Sequence, residues 1–178
     1  MMRLKNSESA YGLVSIFFHW LIAILMIGLI ILGLYMVRLP ISLQKLKLYG
    51  WHKEFGFLVL GLTILRLLWR WINTSPILLL PWWEKFAARA VHWIFYGFMF
   101  ALPITGWLIT SAAGLPASFF GLITLPDLIA PNEELRPLFE EIHEWLAYGL
   151  IAFILLHTAA ALKHHFIDKD DILRRMIP

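Results

Sequence analysis

The sequence predicts an all-α integral membrane protein, a four-helix bundle whose helices run up, down, up and down. Of its 178 residues, 60% are hydrophobic and 15% are charged, and its mean hydropathy of +0.73 lies outside the range of soluble domains. Four segments have the character of membrane spans, which need roughly 20 residues each. Because backbone polar groups in hydrocarbon must bond to one another, such spans are helices, and short connections place consecutive helices antiparallel.

The four predicted helices belong to a single domain. They occupy residues 12–37, 51–72, 90–113 and 143–166 of a domain that covers residues 1–178. The first is too long for a cleaved signal peptide and lacks a small-residue cleavage site, so we expect it to be retained. The second is uninterrupted only over Phe55–Leu65, but its long apolar face and its flanking Trp and Arg side chains are typical of a span anchored at both interfaces.

The distribution of basic residues predicts how the bundle lies in the membrane. An even number of spans puts both termini on one side, and that side holds ten Lys and Arg residues: Arg3, Lys5, Arg66, Arg70, Lys85, Arg89, Lys163, Lys169, Arg174 and Arg175. The other side holds five: Arg38, Lys45, Lys47, Lys53 and Arg136. Since positive charge concentrates in cytoplasmic loops, we expect both termini in the cytoplasm. The basic pI of about 9.3 then reflects topology, and we expect no nucleic-acid binding.

Histidine dominates the polar side chains at membrane depth. The chain has no cysteine, which excludes covalent c-type haem, cysteine-ligated iron–sulfur clusters and cysteine zinc sites. The apolar parts of the four spans contain no Asp, Glu, Asn or Gln, so the polar groups there are histidines, Arg66 and a few hydroxyls. Ionisable residues inside a membrane are costly and indicate a functional site.

The spacing of the histidines predicts two sites at two depths. His143 and His157 are 14 residues apart, a rise of ~21 Å that returns nearly to the same helix face. Two axial nitrogens on one metal are only ~4 Å apart, since metal–nitrogen bonds are roughly 2 Å long. The two histidines therefore serve different sites. In the antiparallel bundle, depth pairs His52 with His143 at the outer level and His19 with His157 at the inner level.

The arrangement of the imidazoles favours one kind of metal centre. Imidazole suits iron, copper and zinc alike, so residue type alone does not choose the metal. Two facing imidazoles at each of two depths, without carboxylates, are typical of b-type haem with two histidine ligands, whereas structural zinc takes four ligands at one level. Gly12, Gly56 and Gly149 lie near the ligand helices and either admit a macrocycle or let helices pack closely.

Two further residues are placed near the inner site. Arg66 lies 14 residues after His52, at the depth of the inner site, and either pairs with a haem propionate or quinone headgroup or snorkels to the interface. His92, at the inner start of the third span, either competes as a ligand, contacts a propionate, or is a satisfied interfacial histidine.

Two more candidates lie at the membrane surfaces. His164, seven residues after His157, either donates to a quinone carbonyl or a propionate, or is an interfacial histidine. Lys45, Lys47 and Lys53 place positive charge outside, near the outer site. They either concentrate a small anion there or are ordinary solvated loop charges.

Six stretches of the sequence carry a family resemblance. They are "SIFFHW" at Ser15–Trp20, "WHKEFG" at Trp51–Gly56, "ALPITGW" at Ala101–Trp107, "FGLITLP" at Phe120–Pro126, "HEWLAYGLIAFILLHTAAALKHHF" at His143–Phe166 and the tail "DILRRMIP". Together they resemble the bacterial cytochrome b561 family. The resemblance covers nearly the whole chain, and its most specific part is the histidine pair on the fourth span followed by "AALKHH".

The resemblance implies a multi-pass inner-membrane oxidoreductase with two non-covalent haem b groups. Its implied haem ligands are His19, His52, His143 and His157. A closely similar member is understood as a superoxide oxidase. That activity implies that superoxide, a small periplasmic anion, is oxidised to O2 at the outer haem and that ubiquinone is reduced near the cytoplasmic face. The implied catalytic residues are His164 at the quinone and Lys53 at the donor, with no protein partner required beside membrane lipid.

Two other functions remain open from the sequence. The first is a membrane-anchor cytochrome b subunit that passes electrons between a partner dehydrogenase or hydrogenase and quinone. The compact loops count against it, because such a subunit needs an exposed docking face. The second is a metal-ion transporter, which the missing intramembrane carboxylates disfavour.

Overall fold

Four long helices account for most of the structure, a computed structural model that describes residues 4–8, 10–77 and 81–177. They are α1 (Leu13–Met36), α2 (Leu43–Trp71), α3 (Trp82–Ala112) and α4 (Arg136–Lys163). A short antiparallel hairpin of β1 (Ala117–Phe119) and β2 (Ile123–Leu125) joins α3 to α4. After α4 the chain makes a π-helical turn, His164–Asp168, and a 3-10 turn, Arg174–Met176. The predicted all-α four-helix membrane fold is confirmed.

Three helices in the described part of the chain are long and apolar enough to cross a membrane on their own. They are α1, α3, and α4 together with its π-helical turn. Helix α2 has 29 residues, more than a span needs, but its charged residues lower its mean hydropathy. These charges cluster near its two ends and leave Phe55–Leu65 apolar. Helix α2 packs along both α1 and α3, and that it crosses the membrane with them stays a prediction.

Three of the helices begin before the predicted spans. Helix α2 begins at Leu43 instead of 51, α3 at Trp82 instead of 90, and α4 at Arg136 instead of 143. Hydropathy marks only the part of a helix in hydrocarbon, whereas the helix continues until a cap ends it. Ser42 supplies such a cap for α2, because its hydroxyl accepts a hydrogen bond from the backbone N–H of Lys45 at 3.2 Å.

Both chain ends meet at one end of the bundle. The backbone N–H of Ile77, after α2, donates to the carbonyl of Glu8 at 2.8 Å. A guanidinium nitrogen of Arg175 donates to the carbonyl of Ile77 at 3.0 Å, and the indole of Trp20 donates to the carbonyl of Met176 at 2.7 Å. The termini therefore share one side, as four spans require. That this side is the cytoplasm stays a prediction; of the residues counted for it, Arg3 lies outside the described residues.

A packed apolar layer divides the bundle at mid-height. It contains side chains of all four helices: Ile22, Met26, Val59, Tyr96, Met99 and Leu150. Leu150 lies midway between His143 and His157 along α4, so the layer separates the two histidine levels. Neighbouring helices in sequence pack closely on each other, whereas α4 makes no comparably close contact with α1 or α2. The side of the bundle between α4 and the first two helices is thus the loosely packed one.

Candidate functional site

The outer histidine couple joins α2 to α4. The rings of His52 and His143 are 6.1 Å apart, centre to centre, with an interplanar angle of 69°. Nδ1 of His143 lies 2.9 Å from the hydroxyl of Thr105 on α3. Nδ1 of His52 is buried and has no hydrogen-bond partner among the described residues. One ligand candidate is therefore tethered by a hydrogen bond, and the other is not.

Two glycines lie beside the outer couple. A Cβ atom added to Gly33 of α1 would lie 3.3 Å from Cε1 of His52, and one added to Gly106 of α3 would lie 3.5 Å from Cε1 of His143. A Cβ at Gly33 would therefore crowd His52, whereas one at Gly106 would make an ordinary van der Waals contact with His143. Any larger residue at Gly33 must push the ring of His52 away, so this glycine helps to set where that ring lies.

The inner level gathers three histidines from three helices. The rings of His19 and His157 are 6.3 Å apart with an interplanar angle of 61°. His92 of α3 lies 6.5 Å from the same His157 ring. Phe95 contacts His157 edge-on at 5.3 Å, and Trp20 contacts His19 at 5.3 Å. Ring separation alone does not decide which histidine opposes His157.

The packing of the helices distinguishes the two inner alternatives. His92 is on α3, which packs closely on α4 along its length, whereas His19 is on α1, which does not. A flat macrocycle needs space between the helices that hold it. The space lies between α1 and α4, so the couple of His19 and His157 is the better candidate, and His92 flanks it.

The geometry of both couples fits a metal held between two imidazoles. Two metal–nitrogen bonds of roughly 2 Å, plus about 1.1 Å from each nitrogen to its ring centre, give about 6 Å between ring centres. Both couples have this separation. The unpartnered Nδ1 of His52 also fits a metal site, because buried polar atoms normally have a hydrogen-bond partner. A flip of the ring exchanges its two nitrogens, so either can face a metal. The residues present therefore fit a bis-histidine b-type haem at each level.

The inner level carries positive charge that has no counter-ion among the described residues. The guanidinium of Arg66 lies 5.8 Å from the ring centre of Tyr96, and that of Arg70 lies 5.9 Å from the rings of Trp93 and Tyr96. Neither arginine forms an ion pair with any described carboxylate. Arg66 is half-buried, so an unpaired charge there is costly and would be stabilised by an anionic group such as a propionate.

His164 lies in the π-helical turn at the inner end of α4. Its Nδ1 is 2.7 Å from a carboxylate oxygen of Asp170 and 3.3 Å from one of Asp168. The ammonium of Lys163 pairs with the same Asp168 oxygen at 2.6 Å. The nearest possible metal-ligand atoms of His164, Asp168 and Asp170 lie within 4.8 Å of one another. Because Lys163 already neutralises the charge of Asp168, these residues are a poor cation site. No hydrogen bond or ring contact joins His164 to the inner couple among the described residues.

The outer lysines separate into different roles. The ammonium of Lys45 donates to the carbonyl of Leu39 at 2.7 Å, so Lys45 satisfies backbone groups after α1. Lys47 is exposed. Lys53 follows His52 directly, and its ammonium approaches the carbonyl of Pro116 at 3.4 Å, where the hairpin begins. Of these three lysines, Lys53 is the one next in sequence to an outer ligand candidate.

Several residues that shape the site were not identified from the sequence. Thr105, Gly33 and Gly106 contact the outer histidines. Of the glycines that were identified, a Cβ at Gly149 would lie 3.1 Å from Cζ of Phe98, whereas a Cβ at Gly56 would meet open space. The segment "ALPITGW" held the missed signal, because a proline inside an apolar helix followed by threonine and glycine marks a special local structure.

A third identified glycine also has a packing role. A Cβ at Gly12 would clash with the backbone oxygen of Leu4. Gly12 therefore admits the N-terminal segment to the start of α1, not a macrocycle.

Comparison with known proteins finds relatives that match almost the whole chain. A family model described as prokaryotic cytochrome b561 matches residues 10–178. Cytochrome b561 homolog 2 of Escherichia coli (strain K12) is 38% identical over 185 positions, which cover 99% of this chain and 95% of that protein. Cytochrome b561 homolog 1 of the same strain is 35% identical over 130 positions, with coverages of 71% and 73%. Probable superoxide oxidase CybB of Yersinia pestis is 32% identical over 174 positions, with coverages of 94% and 96%.

Proposed function

Since this chain belongs to the prokaryotic cytochrome b561 family, we propose that it carries electrons from superoxide at its outer side to ubiquinone at its inner side through two b-type haems. Membership makes the chain a b-type cytochrome of the prokaryotic inner membrane that transfers electrons. The number of haems, the donor and the acceptor are the proposal. The observation that carries it is the pair of imidazole couples at two depths of one bundle.

The chain would hold one haem at each level. His52 and His143 would hold the outer group, and His19 and His157 the inner one. A bound haem b supplies a reversible one-electron couple whose potential depends on its axial ligands and burial. The protein fixes the two levels on the shared helix α4, and the apolar layer at Leu150 keeps water from the space between them.

The outer side suits a small anionic donor. Lys53 adjoins His52 in sequence, is half-buried and forms no ion pair among the described residues. A positive charge beside a redox site raises the local concentration of an anion and its encounter rate. The relative named as a probable superoxide oxidase supports superoxide as that anion. Each superoxide would give up one electron and leave as O2.

The inner side suits a quinone acceptor. Reduction of ubiquinone to the quinol takes two electrons, hence two superoxide ions, and two protons. Asp170 binds Nδ1 of His164 at 2.7 Å, which turns Nε2 away from the carboxylate. When the imidazole carries a proton on both nitrogens, Nε2 can donate to a quinone carbonyl while Asp170 accepts from Nδ1–H. Arg66 would stabilise a propionate of the inner haem or the quinone headgroup.

The test combines haem analysis with rapid mixing. Purified protein should contain two low-spin b haems per chain, and superoxide should reduce them within the mixing experiment. Added ubiquinone should then reoxidise them. A His52→Ala variant should lose reduction by superoxide while dithionite still reduces its remaining haem.

Two results would contradict parts of the proposal separately. A content of one haem per chain would contradict the proposal that the chain holds a haem at each of two levels. If superoxide does not reduce the haems, superoxide is not the electron donor, although the chain would still be a cytochrome. Copurification of a dehydrogenase or hydrogenase in equal amount would favour the anchor-subunit alternative.

A further inference from the structure

The segment Ala101–Trp107 of α3 is built around His143. Pro103 lies inside the helix, where it lacks the N–H that would bond to the carbonyl of Met99 and distorts the turn. Gly106 follows, and a Cβ there would lie 3.5 Å from Cε1 of His143. Thr105, only 9% exposed, lies between them and contacts His143 directly. This segment is therefore a seat for one imidazole of the outer couple.

The hydroxyl of Thr105 has three partners at the same distance. It lies 2.9 Å from the backbone carbonyl oxygens of Ala101 and Leu102 and 2.9 Å from Nδ1 of His143. Carbonyl oxygens can only accept hydrogen bonds, and a hydroxyl has a single proton to donate. If the hydroxyl donates to a carbonyl, as helical threonines commonly do, it can only accept from His143.

The direction of this hydrogen bond, together with the backbone carbonyl of Leu102 as a further acceptor beside the ring, sets the tautomer of His143. When Thr105 accepts, Nδ1 of His143 carries the proton, and Nε2 keeps a free lone pair. That is the tautomer that binds a metal through Nε2. If the hydroxyl donated to Nδ1 instead, it could not donate to the carbonyl of Ala101 or Leu102. It would then have one acceptor in place of two.

His52, the other half of the outer couple, is held differently. Its Nδ1 has no hydrogen-bond partner among the described residues, and its position is limited by contact with Gly33. The two outer ligands are therefore unequal, and the tethered one is His143. Partners that accept from the second nitrogen of a ligating histidine fix its orientation and increase its basicity.

We propose that Thr105 is a positioning residue that fixes the Nδ1–H tautomer and the ring orientation of His143 and thereby lowers the reduction potential of the outer haem. The inference rests on the proposed ligand role of His143. A more basic imidazole stabilises the oxidised iron more than the reduced iron. A lower outer potential favours electron flow inward.

Three variants separate this role from simple packing. Thr105→Val keeps the shape and removes the hydroxyl, whereas Thr105→Ser keeps the hydroxyl and removes the methyl group. Thr110→Val is the matched control, because Thr110 lies on the same helix and is 4% exposed. Its hydroxyl donates to the carbonyl of Gly106 at 3.0 Å and has no hydrogen bond to a histidine among the described residues. A redox titration followed by absorbance gives both midpoint potentials, and electron paramagnetic resonance reports the ligand orientation of each haem.

Thr105→Val should raise the outer midpoint potential, change the outer resonance signal and leave the inner haem unaltered. Its affinity for the outer haem should fall about 10- to 100-fold, measured by haem loss to an acceptor protein. Thr105→Ser and Thr110→Val should match the parent protein.

Unchanged midpoint potentials and resonance signals in Thr105→Val would overturn the inference. If that variant still binds two haems, the proposed function is unaffected by this result. An equal shift in Thr110→Val would also overturn it. If Thr105→Val does not assemble, Thr105→Ser decides: the parental potential supports the role of the hydroxyl, and a shifted potential contradicts it.

Discussion

The imidazole rings of His19 and His157 lie 6.3 Å apart, centre to centre, although the helices that carry them, α1 and α4, do not pack closely on each other. Side chains that meet across a gap between helices need something to hold them there. A metal bound to both rings would do so. The gap also gives room for the flat group that surrounds such a metal.

The inner couple can be separated from its flanking histidine by substitution. His19→Ala should reduce the haem content from two per chain to one and leave the outer haem in place. His92→Ala is the matched control, since His92 is equally near His157 but on the closely packed helix α3. It should keep both haems. Pyridine haemochrome analysis per mole of protein measures both, and loss of a haem only in His92→Ala would reverse the assignment.

The contact between Gly33 and His52 predicts a local effect on the outer haem. A Cβ at Gly33 would lie 3.3 Å from Cε1 of His52, so Gly33→Ala should displace the ring by a few tenths of an ångström and alter the outer haem spectrum. Gly28→Ala, on the same helix, places its Cβ in open space. It should leave both spectra unchanged and stabilise the protein by about 0.5–1 kcal/mol. Identical spectra for both variants would contradict a role for Gly33.

Depth and helical periodicity were sufficient to bring the four predicted ligands together from sequence. His143 and His157 share a face because 14 residues are nearly four turns, and antiparallel order places His52 and His19 opposite them. Thr105 was missed because a hydroxyl in an apolar helix is usually satisfied by its own backbone. Its second bond, to His143, depends on how α3 rotates against α4, which hydropathy does not report.

The helix ends and the hairpin were missed for a different reason. Hydropathy falls at the interface, yet Ser42 caps α2 well before that point. The hairpin depends on backbone conformation at Phe120 and Gly121, which have φ values of 50° and 68°. Glycine readily adopts such values, whereas phenylalanine rarely does, so the sequence around Phe120 gave little sign of a turn.

The position of Lys53 beside His52 predicts an electrostatic contribution to the reaction with superoxide. Lys53→Glu should slow haem reduction by superoxide about tenfold at low ionic strength. The difference should shrink as added salt screens the charge. Lys47→Glu makes the same charge change on α2 at an exposed position and should have a smaller effect. Stopped-flow traces at several salt concentrations measure both; equal rates for the two variants would remove steering by Lys53.

The hydrogen bond between Asp170 and His164 predicts that the two residues act as a unit in quinone reduction. Asp170→Asn weakens the interaction that orients the imidazole, so quinone-dependent reoxidation of the haems should slow by about 10- to 100-fold, the range for loss of a positioned acid or base. Haem content and reduction by superoxide should stay at parental values, because neither residue contacts a haem-ligand candidate among the described residues.

The matched control for this pair is Asp171→Asn. Asp171 is exposed, and its one ion pair among the described residues is a long one, 3.8 Å from its carboxylate oxygen to a guanidinium nitrogen of Arg174. Reoxidation in this variant should equal that of the parent protein. Residues that act as a unit have non-additive effects, so the double variant Asp170→Asn with His164→Ala should be no slower than His164→Ala alone. Additive losses would show that Asp170 acts on the quinone independently of His164. A parental rate of reoxidation in His164→Ala would show that the quinone does not react at this π-helical turn.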